Sequence, residues 1–408
     1  MYLSRFGVKN YKCLGDIDIP LTPIHVLIGP NDAGKTSLLE ALAAFHNTSQ
    51  RDLAEVFPEP WNGRELVFHG AAEPNVQFSG HWSPSASEPT TSQGSEIGYG
   101  LTVRFADNGR TCEVWEELVQ TAGVPVPLHI HPQMPGKATT LRFYMAHPQQ
   151  VRSIAPGGLL PDLDSLSVVI KPTHIWRFDP RQMAVPAAIR QDRKFTMDPD
   201  GFGLPALLGD ILLRSADEYV RLRNGFCELF PDFRDIRMQS EQGLWREWKH
   251  GAAHPHKFAT GLAIYLETRS GHTVRAQQAS DGAILFLGFL ALAHLPDPPT
   301  LVLLEEPENG IYPKRLAEVI QLLKKMVYRE EGPRFPQIIL TTHSPYVLSF
   351  FEPEEVTFLS RDPNKPEAGV RARPLRTAPR IREWLAGGAF YLGEVWYNLS
   401  EEELFGEP

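Results

Sequence analysis

Eight residues near the start of the chain, Gly29-Pro30-Asn31-Asp32-Ala33-Gly34-Lys35-Thr36, fit the spacing GxxxxGK[ST]. Each residue type in it suits a triphosphate. Gly29 and Gly34 let the backbone curl so that its N–H groups face phosphate oxygens, with Asn31 and Ala33 adding amides between them. A helix beginning at Lys35 contributes positive potential at its N-terminus. Lys35 would reach the β- and γ-phosphates, the Thr36 hydroxyl would bind Mg²⁺, and Ser37 would donate to the α-phosphate. The plain alternative is a glycine turn before a helix with a chance lysine. Against it stands the context, an apolar strand at Ile24–Ile28 and a helical run at Lys35–Phe45 with Leu38, Leu39, Leu42 and Phe45 on one stripe. The expected ligand is ATP with Mg²⁺.

Far downstream, the apolar run Leu301-Val302-Leu303-Leu304 ends in Glu305 and Glu306. In P-loop enzymes a carboxylate at such a strand end holds Mg²⁺ through water, and its neighbour can polarise the attacking water. Glu305 is assigned to the metal side and Glu306 to the general base. The alternative is a buried strand whose charged end merely meets solvent. His343 follows a second β-run, Ile338 to Thr342, and an imidazole that titrates near neutrality can donate to phosphate and sense its loss. A hydrogen-bonded core histidine is the competing reading. Ser280-Asp281-Gly282 opens a predicted helix, where a serine serves equally as an ordinary N-cap or as part of an anion-facing terminus.

The elements that must position these groups are readable from periodicity. The first 30 residues alternate between apolar and polar with a turn at Gly15, which predicts paired strands. From Ser280 onward the order is a helix from Asp281, strand Thr300–Leu304, helix Lys314–Val327 and strand Gln337–Thr342. That alternation predicts a parallel sheet with flanking helices. Between the two regions lie strand candidates at Gly100–Phe105, Leu141–Tyr144, Ser167–Ile170 and Leu262–Thr268, and a helix at Leu204–Phe230 ended by Pro231. Residues 83–98 are poor in apolar side chains and predict a mobile surface loop. The expected domains are residues 1–48 (strands and phosphate loop), 49–254 (an inserted lobe), 255–360 (the acidic strand and His343) and 361–408 (an extension packed on the core).

Together, GPNDAGKTS, ASDGA at Ala279–Ala283, LLEEPENGIYP and TTHSP at Thr341–Pro345 resemble the ABC-type ATPase heads, in particular the RecF, SMC and OLD-like group with AAA-21 and AAA-15 ATPase domains. VKNYKCLGDIDIPL, WRFDP and DGFGLPALLGDIL resemble that group too, whereas residues 49–170 match weakly. The resemblance implies an α/β P-loop NTPase with an ABC-ATPase-like head: a mostly parallel sheet flanked by helices, an N-terminal antiparallel β portion and an inserted helical/β lobe. It implies a site completed in trans, with Ser280 and Gly282 of one subunit facing the γ-phosphate held by the other. It also makes His343 the switch histidine that orders the catalytic water. Three features depart from the pattern. Glu305 replaces the commoner Asp, which shifts the metal shell by a methylene. Asp281 and Ala283 stand where transporter-type ATPases carry Gly and Gln, which points away from transporters. For the Q-loop glutamine, Gln149, Gln150 and Gln182 all remain open.

Bulk properties narrow the setting. Forty basic and 49 acidic residues give a net charge of −9, so any nucleic-acid contact must be a local patch. Three cysteines without CxxC spacing argue against a disulfide framework or thiolate zinc site. The N-terminus has no apolar h-region, and no apolar run approaches the roughly 20 residues that span a bilayer, so the expected location is the cytoplasm, away from membranes. His129 and His131 form an HxH pair that strand alternation explains as well as metal binding does. Arg177, Arg181, Arg190, Arg193 and Lys194 make one basic stretch, and Arg371, Arg373, Arg376, Arg380 and Arg382 another; each suits nucleic acid or ion pairs. Fewer than 70 residues follow His343 and contain no DxD pair, so no fused TOPRIM nuclease is expected, and an effector or nuclease would be separately encoded. Two functions fit. One is an ATPase acting as a head-to-tail dimer that drives a partner in DNA maintenance or anti-phage defence. The other is an ATP-gated scaffold or sensor whose hydrolysis is slow or incidental.

Overall fold

A five-residue run, Ile24–Ile28, apolar but for His25, is buried along its whole length, as a strand covered on both faces must be. It anchors the part of the computed structural model that carries the phosphate loop. The structure describes residues 1–57, 63–84, 96–106, 111–121, 124–128, 137–150, 160–189, 197–246, 248–249, 252–253, 257–295, 298–328, 337–362, 366–386 and 391–405.

In chain order the first strands are β1 (Tyr2–Tyr11), β2 (Leu14–Pro20), β3 (Ile24–Ile28), β4 (Asn75–Ser83), β5 (Ile97–Ala106), β6 (Thr111–Thr121) and β7 (Val124–Pro127). Next come β8 (Ile175–Trp176), β9 (Ala187–Ala188), β10 (Phe233–Trp245), β11 (Trp248–Lys249), β12 (Ala252–Ala253), β13 (Lys257–Thr268) and β14 (Thr273–Arg275). The last are β15 (Leu301–Glu305), β16 (Gln337–Thr341), β17 (Val356–Arg361) and β18 (Val370–Pro374). The chain divides into two compact units. The first comprises Met1–Ile175, Pro299–Leu303 and Pro336–Pro408, and the second Trp176–Pro298 and Leu304–Phe335. The division thus falls at other positions than the cuts at 48, 254 and 360 drawn from composition, and residues 49–175 and 361–408 lie with the phosphate loop.

Two sheets build the first unit. One is antiparallel, in the order β2-β1-β4-β5-β6-β7. The other runs β18-β17-β3-β16-β15-β8, with β3 parallel to both β16 and β17, and β18 antiparallel at the edge. Helix α1 (Lys35–Asn47) buries Leu38, Leu39, Leu42 and Phe45, the stripe that the 3.6-residue period predicts. The Phe45 ring stacks at 5.8 Å on Phe78, 6.1 Å on Trp82 and 5.5 Å on Tyr99, which ties α1 to the antiparallel sheet. Such ring pairs add about 0.5–1.5 kcal/mol each beyond their buried area. Gln337 works as a strand would: its Nε2 donates to Leu3 O (2.8 Å) and its Oε1 accepts from Leu3 N (3.1 Å). Behind the loop that follows His343, the helix Leu392–Asn398 comes so close that a Cβ on Gly393 would lie 1.8 Å from Pro345 O.

Several sequence expectations need correction here. The β1–β2 turn lies at Lys12–Cys13, with Tyr11 opposite Leu14, and not at Gly15, because that register buries both Tyr11 and Leu14. Lys12 accepts a left-handed φ of 51° to make it. Leu141–Tyr144 and Ser167–Ile170, expected as strands, fall in the helices Thr140–Ala146 and Leu160–Val169, except that Ile170 lies just past the second. The first is started by Thr139, whose side chain accepts from Arg142 N, and by the buried Glu117, which accepts from Thr140 N (2.7 Å) and Leu141 N (3.1 Å). The mobile loop expected at 83–98 has strand at both ends; its centre, 85–95, lies outside the described residues, as do His129 and His131.

In the second unit, α2 (Leu204–Arg214) and α3 (Ala216–Leu229) replace the single helix expected at Leu204–Phe230. Ser215 breaks it with φ −150° and caps α3 by accepting from Glu218 N. β10 and β13 form a long antiparallel ribbon to which β14 and the short β9 add. α4 (Asp281–Ala293) is buried from Ala283 to Leu292, as a helix apolar all round must be. α5 (Leu316–Val327) instead buries one face through Leu316, Val319, Ile320 and Leu323. Among the described residues no helix is long and apolar enough to cross a membrane.

Candidate functional site

The phosphate loop leaves the carboxyl end of β3 and enters α1 through three left-handed positions: Gly29 (φ 150°), Asp32 (φ 62°) and Gly34 (φ 91°). Switching hands within a few residues turns successive backbone N–H groups inward, which makes an anion nest. Glycine is required at two of them for a second reason. A Cβ on Gly29 would lie 2.1 Å from Leu359 O, and one on Gly34 would lie 2.8 Å from Val370 Cγ2. Lys35 is buried, and its Nζ donates to Gly29 O (2.9 Å) and Pro30 O (2.8 Å), so the ammonium lies across the loop that it closes. Asn31 and Thr36 are exposed, Ala33 is buried, and Ser37 is half-buried.

Parallel pairing brings His343 to the same end of the sheet. Thr341 of β16 stands opposite Leu27 of β3, and Thr342 N donates to Leu27 O (3.2 Å), so the chain after each strand emerges on neighbouring rails. His343 itself is exposed, just past Thr342, whose hydroxyl oxygen accepts from Ser344 N (3.0 Å). It is therefore no core histidine. The buried histidine of this region is His25 in β3, hydrogen-bonded to the hydroxyls of Thr22 and Thr357, and burial pushes its pKa down to about 3.

The second unit holds the remaining candidates. Glu305 ends β15 and is buried, and Arg177 Nη2 meets its Oε1 at 2.5 Å. Glu306 follows in a left-handed conformation, φ 46°, that a side chain adopts only at a cost. Asn309 completes the turn: its N donates to Glu306 O (3.0 Å) and its Nδ2 to Glu306 Oε2 (2.6 Å). Ser280 caps α4, its Oγ accepting from Ala283 N (3.4 Å). Gly282 in the first turn lies against that carboxylate-bearing turn, since a Cβ there would be 3.8 Å from Gly310 O.

Among the described residues no group of three or more His, Cys, Asp and Glu could hold a metal by itself. The first unit offers the Thr36 hydroxyl and the second the Glu305 carboxylate, each a hard oxygen. Donors of this kind suit Mg²⁺, which keeps waters and is bound through one or two carboxylates together with substrate phosphates. Sequence reasoning missed two partners. Asn309 stands three residues after Glu306, a spacing that side-chain-to-backbone turns favour and that could have drawn notice. Arg177 stands out in the sequence only as part of a basic stretch, because its partner is 128 positions away in the chain. Of the Q-loop candidates, Gln182 accepts from the Arg246 guanidinium.

Two segments of the chain match models of ATPase families. Residues 1–78 match the family described as "AAA ATPase domain", and residues 192–349 match "AAA domain, putative AbiEii toxin, Type IV TA system". A 40-residue stretch is 55% identical to an OLD nuclease of Thermus scotoductus, covering 10% of this chain and 8% of that protein. The match therefore spans less than a tenth of that relative's length. Among solved structures, an SMC head bound to the C-terminal winged-helix domain of ScpA aligns over 92% of this chain and 99% of its own, with a TM-score of 0.51 and 15% identity. An SMC head domain from Thermotoga maritima aligns over 92% of this chain and 99% of its own, with a TM-score of 0.45 and 13% identity. The phosphate loop lies within the first family match and the acidic strand within the second, and the chain is similar to the ABC-type P-loop ATPase group that includes the RecF, SMC and OLD-like proteins.

Proposed function

We propose that this chain binds ATP with Mg²⁺ and hydrolyses it as a head-to-tail dimer in the cytoplasm, where nucleotide-driven closing and opening gates a separately encoded partner. The observation that carries the reading is the phosphate loop: two left-handed glycines, Asp32 between them and the buried Lys35 form a ready cradle for a triphosphate at the start of α1. In this reading the amides from Gly29 to Gly34, including Asn31 and Ala33, hold the β-phosphate. Lys35 turns from its own carbonyls to the β- and γ-phosphates, and Ser37 donates to the α-phosphate. Thr36 and Glu305 would hold Mg²⁺, which would draw charge from the phosphate oxygens. Glu306, aimed by Asn309, takes a proton from the attacking water, and His343 donates to the γ-phosphate and registers its departure. Ser280 and Gly282 of the second protomer complete the site at the N-terminus of α4.

Part of each basic run is engaged in ion pairs, Arg177 with Glu305, Arg371 with Asp362 and Arg373 with Glu401, which favours a partner protein over direct nucleic-acid contact. Arg190, Arg193 and Lys194 lie outside the described residues. DNA maintenance or anti-phage defence is the proposed setting, drawn from the resemblance to the RecF, SMC and OLD-like group. The Arg177–Glu305 pair also supports the second reading, an ATP-gated scaffold with slow turnover, since it occupies the metal-side carboxylate.

Light scattering after size exclusion decides between a dimer and a monomer. The Glu306→Gln chain with Mg²⁺–ATP is expected at twice the mass it has with ADP. A nucleotide-bound assembly in which Ser280 approaches no γ-phosphate would sink the trans-completed site. Steady-state phosphate release by the wild type without any partner separates the enzyme from the scaffold.

A further inference from the structure

A carboxylate as buried as Glu305 needs a compensating charge. The chain supplies one itself: Arg177 Nη2 lies 2.5 Å from Glu305 Oε1, and the Arg177 side chain is 69% exposed. The guanidinium thus supplies that charge from within the folded chain. The side chain has solvent around it, but the main chain is fixed. Arg177 N donates to Pro199 O (2.9 Å) and Asp179 N to Asp200 O (3.0 Å). Arg246 in turn grips Asp200 at 2.6 Å and reaches Gln182. The next residue, Phe178, packs its ring 5.1 Å from Phe289 of α4, the helix that Ser280 caps. One short segment therefore touches both the metal-side carboxylate and the helix expected to complete the site in a second protomer.

We propose that Arg177 is a displaceable counter-cation of Glu305, a positioning residue that holds the carboxylate until Mg²⁺–nucleotide arrives and then swings out to solvent. Two cations then share one carboxylate, and their mutual repulsion drives the guanidinium away. Its exposed stem gives it somewhere to go. The departure is relayed to α4 through Phe178, which couples metal loading to the surface that a second protomer would meet. This inference rests on the nucleotide reading above and deepens it.

The test uses the full chain and a fluorescent ATP analogue, titrated with Mg²⁺ at fixed nucleotide and repeated in EDTA. Arg177→Ala should lower the half-saturating Mg²⁺ by about 3–10-fold, the worth of a partly exposed ion pair, and leave binding in EDTA unchanged. Arg177→Lys should fall between it and wild type. In a Glu305→Gln background the same arginine change should move nothing, which a merely structural arginine would not satisfy. A second readout is thermal unfolding: Arg177→Ala should melt below wild type in EDTA and equal it with Mg²⁺–ATP. An unmoved or raised Mg²⁺ requirement overturns the proposal, as does an undiminished shift in the Glu305→Gln background. If Arg177→Ala does not fold, the Mg²⁺ titration of Arg177→Lys decides in its place, by the same two outcomes. Wild type that binds no nucleotide under any condition overturns the nucleotide reading and this proposal with it, whereas normal wild-type binding with an unmoved variant overturns this proposal alone.

Discussion

Glu306 carries a left-handed backbone that costs a side chain about 1–2 kcal/mol, and the turn that Asn309 closes holds it there. Strain of this kind persists only where the surrounding structure over-determines it. Two substitutions separate the parts. Glu306→Gln keeps shape and strain but cannot take a proton, so hydrolysis should fall by about 10²–10⁴-fold while nucleotide binding survives. Glu306→Gly relieves the backbone and should hold or raise the melting temperature while hydrolysis disappears; a clear fall in that temperature would refute stored strain. Lys35→Ala should weaken ATP binding by about 10–100-fold, the worth of a charge-assisted hydrogen-bond pair, as read by equilibrium binding of the same analogue. These residues were legible because motif spacing encodes them. Arg177 and Asn309 were not, since a partner is fixed by the fold and not by the motif.

A histidine gives the residue scale its pH dependence. His46 is buried beneath Trp82, its Nδ1 bonded to Lys171 O, and burial lowers its pKa from 6.5 to about 4. The unfolded chain takes up a proton below about pH 6.5, and the folded one does not until about pH 4. Stability is thus full above 6.5, drains as pH falls through that window, and loses about 3 kcal/mol to this one group. His46→Leu should flatten the slope by one proton, measurable by urea unfolding at a series of pH values. A variant as acid-sensitive as wild type would exclude His46 as the cause.

At the scale of elements, ligand sites in parallel sheets gather at the carboxyl ends of the strands, and β3 and β16 put the phosphate loop and His343 there side by side. That much followed from the alternation of helix and strand after Ser280. The middle of the chain did not yield to periodicity. Leu141–Tyr144 reads as a strand locally, yet the Glu117 carboxylate, 23 and 24 residues earlier, receives Thr140 N and Leu141 N and starts a helix. Tyr99 donates to the same carboxylate at 2.8 Å. Glu117→Ala would orphan three donors and should cost about 3 kcal/mol, with protease nicking near residue 140 as an independent sign. Equal stability would show that water replaces the carboxylate.

For the whole molecule, the sequence announced an ABC-type head but not where its units divide. The chain passes from the first unit to the second between Leu303 and Leu304, inside a strand that shows no break in its apolar run. A boundary without a Pro, Gly or polar linker leaves no compositional trace. The C-terminal residues read as an extension packed on the core; within them β18 forms the edge of the sheet that carries the phosphate loop, a placement that no local pattern reveals.

The near-contact of Gly393 with Pro345 gives an experimenter a handle far along the chain from the chemistry. Adding a single methyl there acts as a shim under the turn two residues past His343, because its Cβ would sit 1.8 Å from a carbonyl oxygen that must retreat. Gly393→Ala can therefore shift His343, the proposed γ-phosphate sensor, without altering any residue proposed to touch nucleotide, and the same leverage is open to any binder that grips the helix Leu392–Asn398 from outside.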